Sequence, residues 1–404
     1  MNYVNSKDSI STIVDKYPET LDFFINQGFE QFKNKSMLKT LGKIALETAL
    51  KSKGVNLELF LENLNELIAQ TRNSADVTLN KAEEGHEIKV EGLLPCPVRI
   101  PLLDQVKKYQ AETGAEFSYD LKAASSGLDW LKEKVKSEEN TENLSDLFIS
   151  AGFDLFFDKS LMGKFKDQKA FKDYTGFEKY NIDFENDEIN LRDPKGDYSM
   201  LAVVPAVFLV NKSELNGRKF PKTWEDLLSP EFERSISLPV SDFDLFNAIM
   251  LNIYKRFGED GVRKLGKSLT QNLHPAQMVK SDRMKINKPT VTIMPYFFTK
   301  MTKEGGELVA QWPEDGAIIS PIFMLTKAEK QDKLRELTDL FASKKVGEIL
   351  SHQGLFPSVH PEIDNRISKE QKYMWLGWDY IYGNDIEALI ETCERVFNEG
   401  VEEA

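Results

Sequence analysis

The sequence predicts an α/β protein that carries a small all-α domain at its amino end. Residues 8–70 show only helical spacing of apolar side chains, as in LGKIALETALKSKG and NLELFLENLNELI. From about residue 87, short apolar strands alternate with helical segments, which is typical of a largely parallel sheet covered by helices. We therefore expect a helical domain over 1–72, a linker over 73–86 and an α/β domain over 87–404.

The helical domain has start and stop signals that fit its periodicity. Ser9 or Ser11 is placed to cap a first helix, and Pro18 suits the first turn of a second helix. Gly28 is suited to end that second helix. The stretch AQTRNSADVTLNKAEEGHE, which follows the domain, is polar and weakly periodic, and this favours a linker.

Strand and helix signals alternate along the rest of the chain. EIKVEGLL, EFSYDLK and SDLFIS have the composition of strands, and each is followed by a turn and a helical segment. LAVVPAVFLV and AIISPIFML are apolar throughout, as expected of strands that are buried on both faces. In KTWEDLLSPEF, Thr223 is a helix cap with Asp226 at the third helical position, which is close to a capping box.

The composition limits the partners. The chain has 404 residues, of which 41% are hydrophobic and 29% charged, as in globular proteins with sizeable cores. Its net charge of -13 argues against nucleic acid or an anionic membrane as the main partner. The longest apolar run, MLAVVPAVFLV, is too short to span a bilayer, so we expect no membrane insertion.

The amino-terminal residues and the cysteines bear on the cellular compartment in which the protein acts. MNYVNSKDSISTIVDKYPE has neither the apolar core nor the cleavage site of a secretory signal. Cys96 and Cys393 have no metal-type spacing and imply no disulfide framework. The sequence therefore predicts a cytoplasmic protein.

Four junctions at which a strand leads through a turn into a helix supply the candidate binding residues. In an open α/β sheet, the carboxyl ends of the strands face one crevice, where helix amino termini present unpaired N–H groups. A small ligand with acceptor oxygens fits such a crevice without any catalytic residue. The last residue of SDLFIS is a further candidate. The candidate ligand-binding residues are Cys96, Ser125, Ser126, Gly127, Ser150, Ser241, Asp242 and Tyr296.

These residue types also have ordinary structural roles. Serines that precede helices are common caps, and a free cysteine is often a small buried hydrophobe. The charge of the ligand stays open, because Asp242 and Asp244 favour a cation or an amine, whereas helix amino termini favour an oxyanion. The sequence identifies neither a cofactor nor a set of metal ligands.

The sequence contains no recognisable catalytic motif. The histidines form no close pair, and no nucleotide-binding or serine-hydrolase motif occurs. Cys96 and a distant histidine would make a nucleophile pair, but a cysteine outside any motif is more often inert. We therefore expect a protein without catalytic residues. A thiol-dependent or cofactor-handling enzyme built around Cys96 is the alternative.

Residues from about 87 to 365 resemble the solute-binding proteins of bacterial ABC transporters, in the type II class of the ferric-iron and polyamine group. KTWEDLLSPEFERSISLPVSDFDLFNAIMLNIYKRFGEDG carries most of the resemblance, and VVPAVFLVNKSEL and EDGAIISPIFMLTKAEK look like two crossovers between lobes. The resemblance implies a two-lobed type II periplasmic-binding-protein-like fold. Lobe one would comprise about 87–203 and 321–404, and lobe two about 204–320, with closure on a ligand between them.

Residues 8–70 separately resemble a small helical domain of unknown function that is found near hybrid-cluster and iron-sulfur repair proteins. IVDKYPETLDFFINQGFE is the part that matches. Members often have a cysteine shortly after this glycine, where the present chain has Phe29, Glu30 and Gln31, so no cluster or thiol role is carried over. We expect this domain to contact a protein partner.

The resemblance is weaker at the ligand site. Ferric-binding members use adjacent tyrosines in the loop that matches MPYFFTK, where Tyr296 is phenolic and Phe297 and Phe298 supply no oxygen. A ferric site of that kind is therefore not expected.

The resemblance implies a non-catalytic clamp for a small solute, a metal ion or a metal-containing cofactor. It would act as a cytoplasmic carrier or sensor, or as the binding component that serves an ABC permease.

Overall fold

The computed structural model describes most of the chain, in two compact units. The described residues are 3–17, 20–26, 29–52, 57, 60–61, 64–65, 68, 86–124, 128–239, 243–272, 288–302 and 305–404. The units are Met1–Leu79 and Asn80–Ala404, so the division falls within the stretch 73–86. Among the described residues, no helix is both long enough and apolar enough to cross a membrane.

The amino-terminal unit consists of short helices around an apolar core. Ser9 caps the first helix, because its side chain accepts a hydrogen bond from the backbone N–H of Thr12. Pro18 and Gly28, the other signals noted in the sequence, lie outside the described residues. The helices whose bounds lie within the described residues are α1 (Ile10–Lys16), α2 (Thr20–Asn26), α3 (Lys35–Leu41) and α4 (Leu46–Ser52). The core includes Ile10, Ile13, Phe24, Phe32, Leu46 and Leu50.

The larger unit alternates strands with helices, as the sequence predicted. Thr223 and Asp226 form the expected capping box at the start of the helix Trp224–Leu227. The strands are β1 (Lys89–Leu94), β2 (Ser118–Ala123), β3 (Leu147–Ala151), β4 (Ser199–Asn211), β5 (Ile236–Leu238), β6 (Leu269–Asn272), β7 (Val291–Pro295), β8 (Leu308–Gln311), β9 (Ala317–Thr326) and β10 (Tyr373–Met374). The helices are α5 (Arg99–Thr113), α6 (Asp129–Ser137), α7 (Phe153–Phe157), α8 (Trp224–Leu227), α9 (Phe243–Ser268), α10 (Gln331–Phe341), α11 (Lys344–Glu348), α12 (Trp378–Gly383) and α13 (Ile386–Glu403).

The strands form a mixed sheet in which one order occurs twice. One half has the order β2-β1-β3-β9-β4, and the other has the order β6-β5-β7-β4-β8. In each half, three parallel strands are followed by a long antiparallel strand, which is β9 in the first half and β4 in the second. The sheet is therefore built from two copies of one α/β architecture.

The two long strands, which we call the crossing strands, belong to both halves. β4 has 13 residues and β9 has 10, and both are buried along almost their whole length. They pair with each other so that Val203 lies opposite Pro321 and Val204 opposite Ser320. Beyond this point β4 continues alongside β7 and β8. The sheet thus runs without a break through the boundary that the sequence suggested between the lobes.

Side chains alternate between the two faces of the sheet and fill separate cores. On β3, Leu147 and Ile149 belong to one apolar cluster, and Phe148 between them belongs to the other. The first cluster lies under α5 and α10 and includes Leu102, Leu121, Met324 and Leu337. The second passes through both halves and includes Phe323, Phe208, Trp224, Ile249 and Val396. The two halves therefore share a continuous core on one face.

The carboxyl-terminal helix α13 packs chiefly along α9, although the sequence-based division places all of 321–404 in lobe one. Arg263 of α9 pairs with Glu399 of α13 at 2.7 Å. The ring of Phe397 lies edge-on to Phe246, with 5.1 Å between the ring centroids. The apolar stripe of α13 gains burial against α9, and this contact cannot be read from its position in the sequence.

Two glycines allow α9 and α13 to approach this closely. A Cβ atom on Gly400 would lie 2.1 Å from the carbonyl oxygen of Arg263, and one on Gly266 would lie 2.1 Å from the carbonyl oxygen of Phe397. No side chain fits at either distance. The backbones of the two helices are therefore in direct contact because both positions lack a Cβ atom.

We expect Gly400→Ala to lower the free energy of unfolding by about 1–3 kcal/mol, the usual cost of forcing extra atoms into a close-packed interior. Gly383→Ala is the matched control, because nothing lies within 4 Å of the Cβ position of Gly383. We expect this control to change the free energy of unfolding by less than about 0.5 kcal/mol. Urea unfolding followed by circular dichroism measures both variants, and equal stability would contradict the close helix contact.

A buried lysine and a buried aspartate join β9 to the amino end of β3. Lys327 Nζ lies 3.6 Å from Asp146 Oδ1 and donates a hydrogen bond to the carbonyl oxygen of Leu144 at 2.7 Å. Asp146 also accepts a hydrogen bond from the backbone N–H of Lys89 at 2.9 Å. Burial lowers the pKa of Lys327. The ammonium group is thus largely removed from water and depends on this carboxylate for compensation.

Removal of the carboxylate should therefore be costly. We expect Asp146→Ala to lower the free energy of unfolding by about 3–5 kcal/mol, since it leaves a buried ammonium without its partner. Lys333→Ala is the control, because it breaks the exposed pair with Glu87. That loss should be below about 1 kcal/mol. Urea titrations at pH 7 compare the two, and a loss of similar size in both would show that the buried pair contributes little.

Candidate functional site

The carboxyl ends of strands in both halves face one crevice, which we call the interlobe crevice. In the first half, β3 ends at Ala151, which lies opposite Ile322 of β9. In the second half, β7 ends at Pro295, which lies opposite Ala206 of β4. Ile322 in turn pairs with Ala202 of β4. The two sets of strand ends are therefore separated along β4 by the step from Ala202 to Ala206, about 13 Å at the usual rise of a strand.

Cys96 follows the carboxyl end of β1, another strand of the first half. β1 ends at Leu94, and Cys96–Val98 form one turn of 3-10 helix ahead of α5. The backbone N–H of Val98 donates a hydrogen bond to the carbonyl oxygen of Pro95 at 3.1 Å and closes this turn. The side chain of Cys96 lies outside the described part of the chain. Its position after a strand agrees with the sequence analysis, and its contact with a ligand stays a prediction.

Five other candidate residues lie outside the described residues, namely Ser125, Ser126, Gly127, Ser241 and Asp242. The structure does describe the elements on either side of them. β2 ends before the first group and α6 follows it, while β5 ends before the second group and α9 follows it. Both groups thus connect a strand end at the crevice to a helix, and their ligand contacts stay predictions.

Ser150 is buried within the sheet. Its hydroxyl group donates a hydrogen bond to the carbonyl oxygen of Ala151 at 2.7 Å. Across the strand pair it lies opposite Phe323 of β9. Because the hydroxyl proton is already used within β3, this geometry favours a structural role for Ser150.

Tyr296 stands directly after β7, on the second-half edge of the crevice. Its ring is edge-on to Trp312 with 5.2 Å between centroids, and Trp312 is edge-on to Tyr373 at 5.4 Å. Burial raises the pKa of Tyr296, so its hydroxyl group stays protonated at neutral pH and is able to donate a hydrogen bond. Trp312 and Tyr373 come from distant segments, and no motif in the sequence marks either one.

The start of α9 is tied to the middle of a crossing strand. Ser320, which pairs with Val204 between the two sets of strand ends, donates a 2.5 Å hydrogen bond to Oδ2 of Asp244. Asn247, one helical turn further along α9, is almost fully buried. Its Oδ1 atom accepts no hydrogen bond from any described residue. The buried Asn247 oxygen therefore suits a ligand that donates hydrogen bonds. The sequence marks Asp244 as a candidate through its charge, whereas no motif marks Asn247.

Trp130 lies in the first turn of α6, on the first-half edge. Lys122 Nζ is 3.5 Å from the centroid of the Trp130 ring, which is a cation–π contact. The indole N–H of Trp130 is buried and has no acceptor among the described residues. This edge therefore combines an aromatic surface with a hydrogen-bond donor.

Metal-ligating side chains are not clustered in the part of the chain that the structure describes. No group of three or more His, Cys, Asp or Glu residues there is arranged to hold a metal ion. His352 Nε2 lies 2.8 Å from the carbonyl oxygen of Asp364. His360 Nδ1 accepts a hydrogen bond from the backbone N–H of Glu362 at 3.1 Å. Both imidazoles are thus engaged with neighbouring backbone.

Two family models match the chain, and they fall on different compact units. The model described as "Bacterial extracellular solute-binding protein" matches residues 142–384. The model described as "Domain of unknown function (DUF1858)" matches residues 5–61. A search of the curated proteins found no match.

Solved structures of two ferric binding proteins and of an ABC transporter are similar to this chain over about three quarters of its length. The ferric binding protein from Campylobacter jejuni shares 14% identity over 78% of this chain and 99% of its own, with a TM-score of 0.54. The ferric iron-binding protein A of Mannheimia haemolytica, in an open conformation, gives the same four values. An ABC transporter structure from Clostridium perfringens shares 16% identity over 77% of this chain and 100% of its own, with a TM-score of 0.54. At such identities the likeness shows the fold alone.

The predicted fold class is confirmed by the strand order and by this likeness. The larger unit has the two-lobed type II periplasmic-binding-protein-like fold, and a small all-α unit precedes it. The solute-binding family model covers more than half of the 404 residues. The chain therefore belongs to the bacterial extracellular solute-binding protein family.

Proposed function

We propose that this protein is a non-catalytic clamp that closes two lobes on a small solute, a metal ion or a metal-containing cofactor. The observation that carries the proposal is the interlobe crevice, where strand ends of both halves face each other across about 13 Å of the crossing strands. A crevice at the carboxyl ends of strands is the usual ligand site of an open α/β sheet. Two connecting strands act as a hinge for closure.

The proposed lobes meet at the middle of the crossing strands. Lobe one comprises 87–203 and 321–385, and lobe two comprises 204–320 together with α13. The register supports this boundary, because Val203 lies opposite Pro321 at the point where β4 passes from one half to the other. The packing of α13 on α9 supports its place in lobe two.

The described edges of the crevice favour a ligand that donates and accepts hydrogen bonds and has a flat or apolar part. Asp244 and Asn247 supply acceptor oxygens, whereas Tyr296 and Trp130 supply donor groups. Trp130 and the rings beside Tyr296 supply aromatic surface. We propose that an amine or hydroxyl group of the ligand lies next to Asp244.

A ferric ion held by paired phenolates is not part of this proposal, although some structural neighbours are described as ferric binding proteins. The raised pKa of Tyr296 disfavours its phenolate form. Phe297 and Phe298, which follow it, have no oxygen to offer. If the ligand contains a metal, the thiolate of Cys96 favours a soft one.

The partner and the compartment belong to the same proposal. We propose that the protein delivers its ligand to an ABC permease or another protein, and that the helical unit contributes to that contact. The sequence predicts a cytoplasmic carrier or sensor, whereas the matching family is described as extracellular. Cell fractionation against markers for each compartment decides between these places of action.

A thiol-dependent or cofactor-handling enzyme would require an acid–base partner for Cys96. His352 and His360, two of the described histidines, are engaged with backbone groups. We therefore do not propose catalysis by this thiol.

The ligand itself is to be identified by native mass spectrometry of protein purified without oxygen, combined with metal analysis. A retained ligand adds its mass to that of the 46.2 kDa chain. A metal-containing cofactor gives both a mass and a metal signal, whereas an organic solute gives a mass alone.

With that ligand, we expect Cys96→Ser to weaken binding about tenfold or more, which corresponds to a lost contact of about 1.4 kcal/mol. The melting temperature of the empty protein should hardly change. Cys393→Ala is the matched control, because Cys393 is fully buried and its thiol faces the carbonyl oxygen of Met250 at 3.9 Å. This control should lower the melting temperature and leave affinity unchanged. Titration calorimetry would contradict the contact if Cys96→Ser bound like the wild type or lost binding only through destabilisation.

A further inference from the structure

A turn from lobe two reaches lobe one beside the interlobe crevice. This turn, Tyr296–Met301, follows β7 directly. Phe297 packs against the core cluster of lobe one, where its ring is nearly parallel to that of Phe356 with 6.2 Å between centroids. Its neighbour Phe298 instead packs within lobe two, against Leu209, Met294 and Leu308. One phenylalanine therefore anchors the turn in its own lobe, and the next one contacts the other lobe.

Lys300, in the same turn, makes a polar contact with the same part of lobe one. Its Nζ donates hydrogen bonds to the carbonyl oxygens of Gln353 at 3.0 Å and His352 at 3.4 Å. These carbonyls end the helical turn Ile349–Gln353, where backbone oxygens carry a partial negative charge. Burial and the charge of Arg366 lower the pKa of Lys300. The side chain of Lys300 nevertheless stays exposed to solvent while the contact is made.

Phe356 connects this contact to the turn that holds Cys96. A Cβ atom on Gly354 would lie 2.4 Å from Cδ2 of Phe356 and 2.9 Å from Cγ1 of Val98. Phe356 and Val98 therefore both pack on Gly354, and Val98 is the last residue of the Cys96 turn. Phe356, Gly354 and Val98 thus form a continuous line of contacts between the turn of lobe two and this candidate ligand-binding turn.

We propose that Phe297 and Lys300 form a latch that holds the two lobes closed. The proposal rests on the proposed function, since a latch requires lobes that move. Both contacts join side chains of lobe two to lobe one and lie outside the backbone pairing of the crossing strands. Opening would expose the ring of Phe297 to water, which is unfavourable, but the exposed ammonium group of Lys300 would exchange its two hydrogen bonds for bonds to water at little cost. The latch is therefore weak and reversible, as release of a ligand requires.

The test measures the ratio of closed to open molecules in the full chain without ligand. Two fluorophores, attached through noncanonical amino acids at exposed Lys108 in lobe one and exposed Lys219 in lobe two, report this ratio by single-molecule energy transfer. We expect Lys300→Met and Phe297→Ala each to lower the ratio of closed to open molecules about threefold to tenfold, the size of effect usual for the loss of one such contact.

Two further variants serve as controls. Lys212→Met removes an exposed lysine of lobe two next to the end of β4, and the ratio should not change. Lys300→Arg keeps a cation in place and should keep the ratio close to that of the wild type. Circular dichroism confirms that each variant is folded.

The outcomes separate the latch from the clamp. In one outcome, the lobes exchange between open and closed forms while Lys300→Met and Phe297→Ala have the same ratio of closed to open molecules as Lys212→Met. That result would overturn the latch and leave the clamp intact. A single fixed distance in the wild type and in every variant would overturn the latch alone, because the clamp requires closure only when ligand is present.

Discussion

The antiparallel pairing of β4 with β9 is the interaction on which the rest of the structure depends. Each strand is long enough to pair in both halves of the sheet, so the two copies of the α/β architecture share their central strands. The register of this pair fixes how far apart the two sets of strand ends lie. It also places Ser320 between them, where its hydroxyl group holds Asp244 at the start of α9. The same pairing thus creates both the crevice and the proposed hinge.

Much of the fold could be predicted from local patterns, because those patterns reflect burial. LAVVPAVFLV and AIISPIFML are apolar throughout because both faces of the crossing strands are covered, and the Thr223 capping box is a purely local signal. The place of α13 could not be predicted, because its apolar stripe would suit either lobe. The choice depends on the close approach at Gly266 and Gly400, which exists only once the helices are packed.

The candidate site could be predicted in outline but not in its full set of side chains. The rule that the carboxyl ends of strands face one crevice pointed to the turns at Cys96 and Tyr296. Both turns do follow strands, which are β1 and β7. The rule gave no information on Trp312, which reaches Tyr296 from the segment between β8 and β9. The same rule did not foresee that Phe297 would pack on the opposite lobe, because sequence patterns distinguish buried from exposed side chains but do not say which core receives them.

The central claim is that the two lobes close on a ligand held in the interlobe crevice. Small-angle X-ray scattering of the full chain, with and without the ligand identified by mass spectrometry, tests it most directly. The account predicts that the radius of gyration falls as ligand is added and stops changing at one equivalent. Scattering curves that stay identical while calorimetry shows stoichiometric binding would contradict closure.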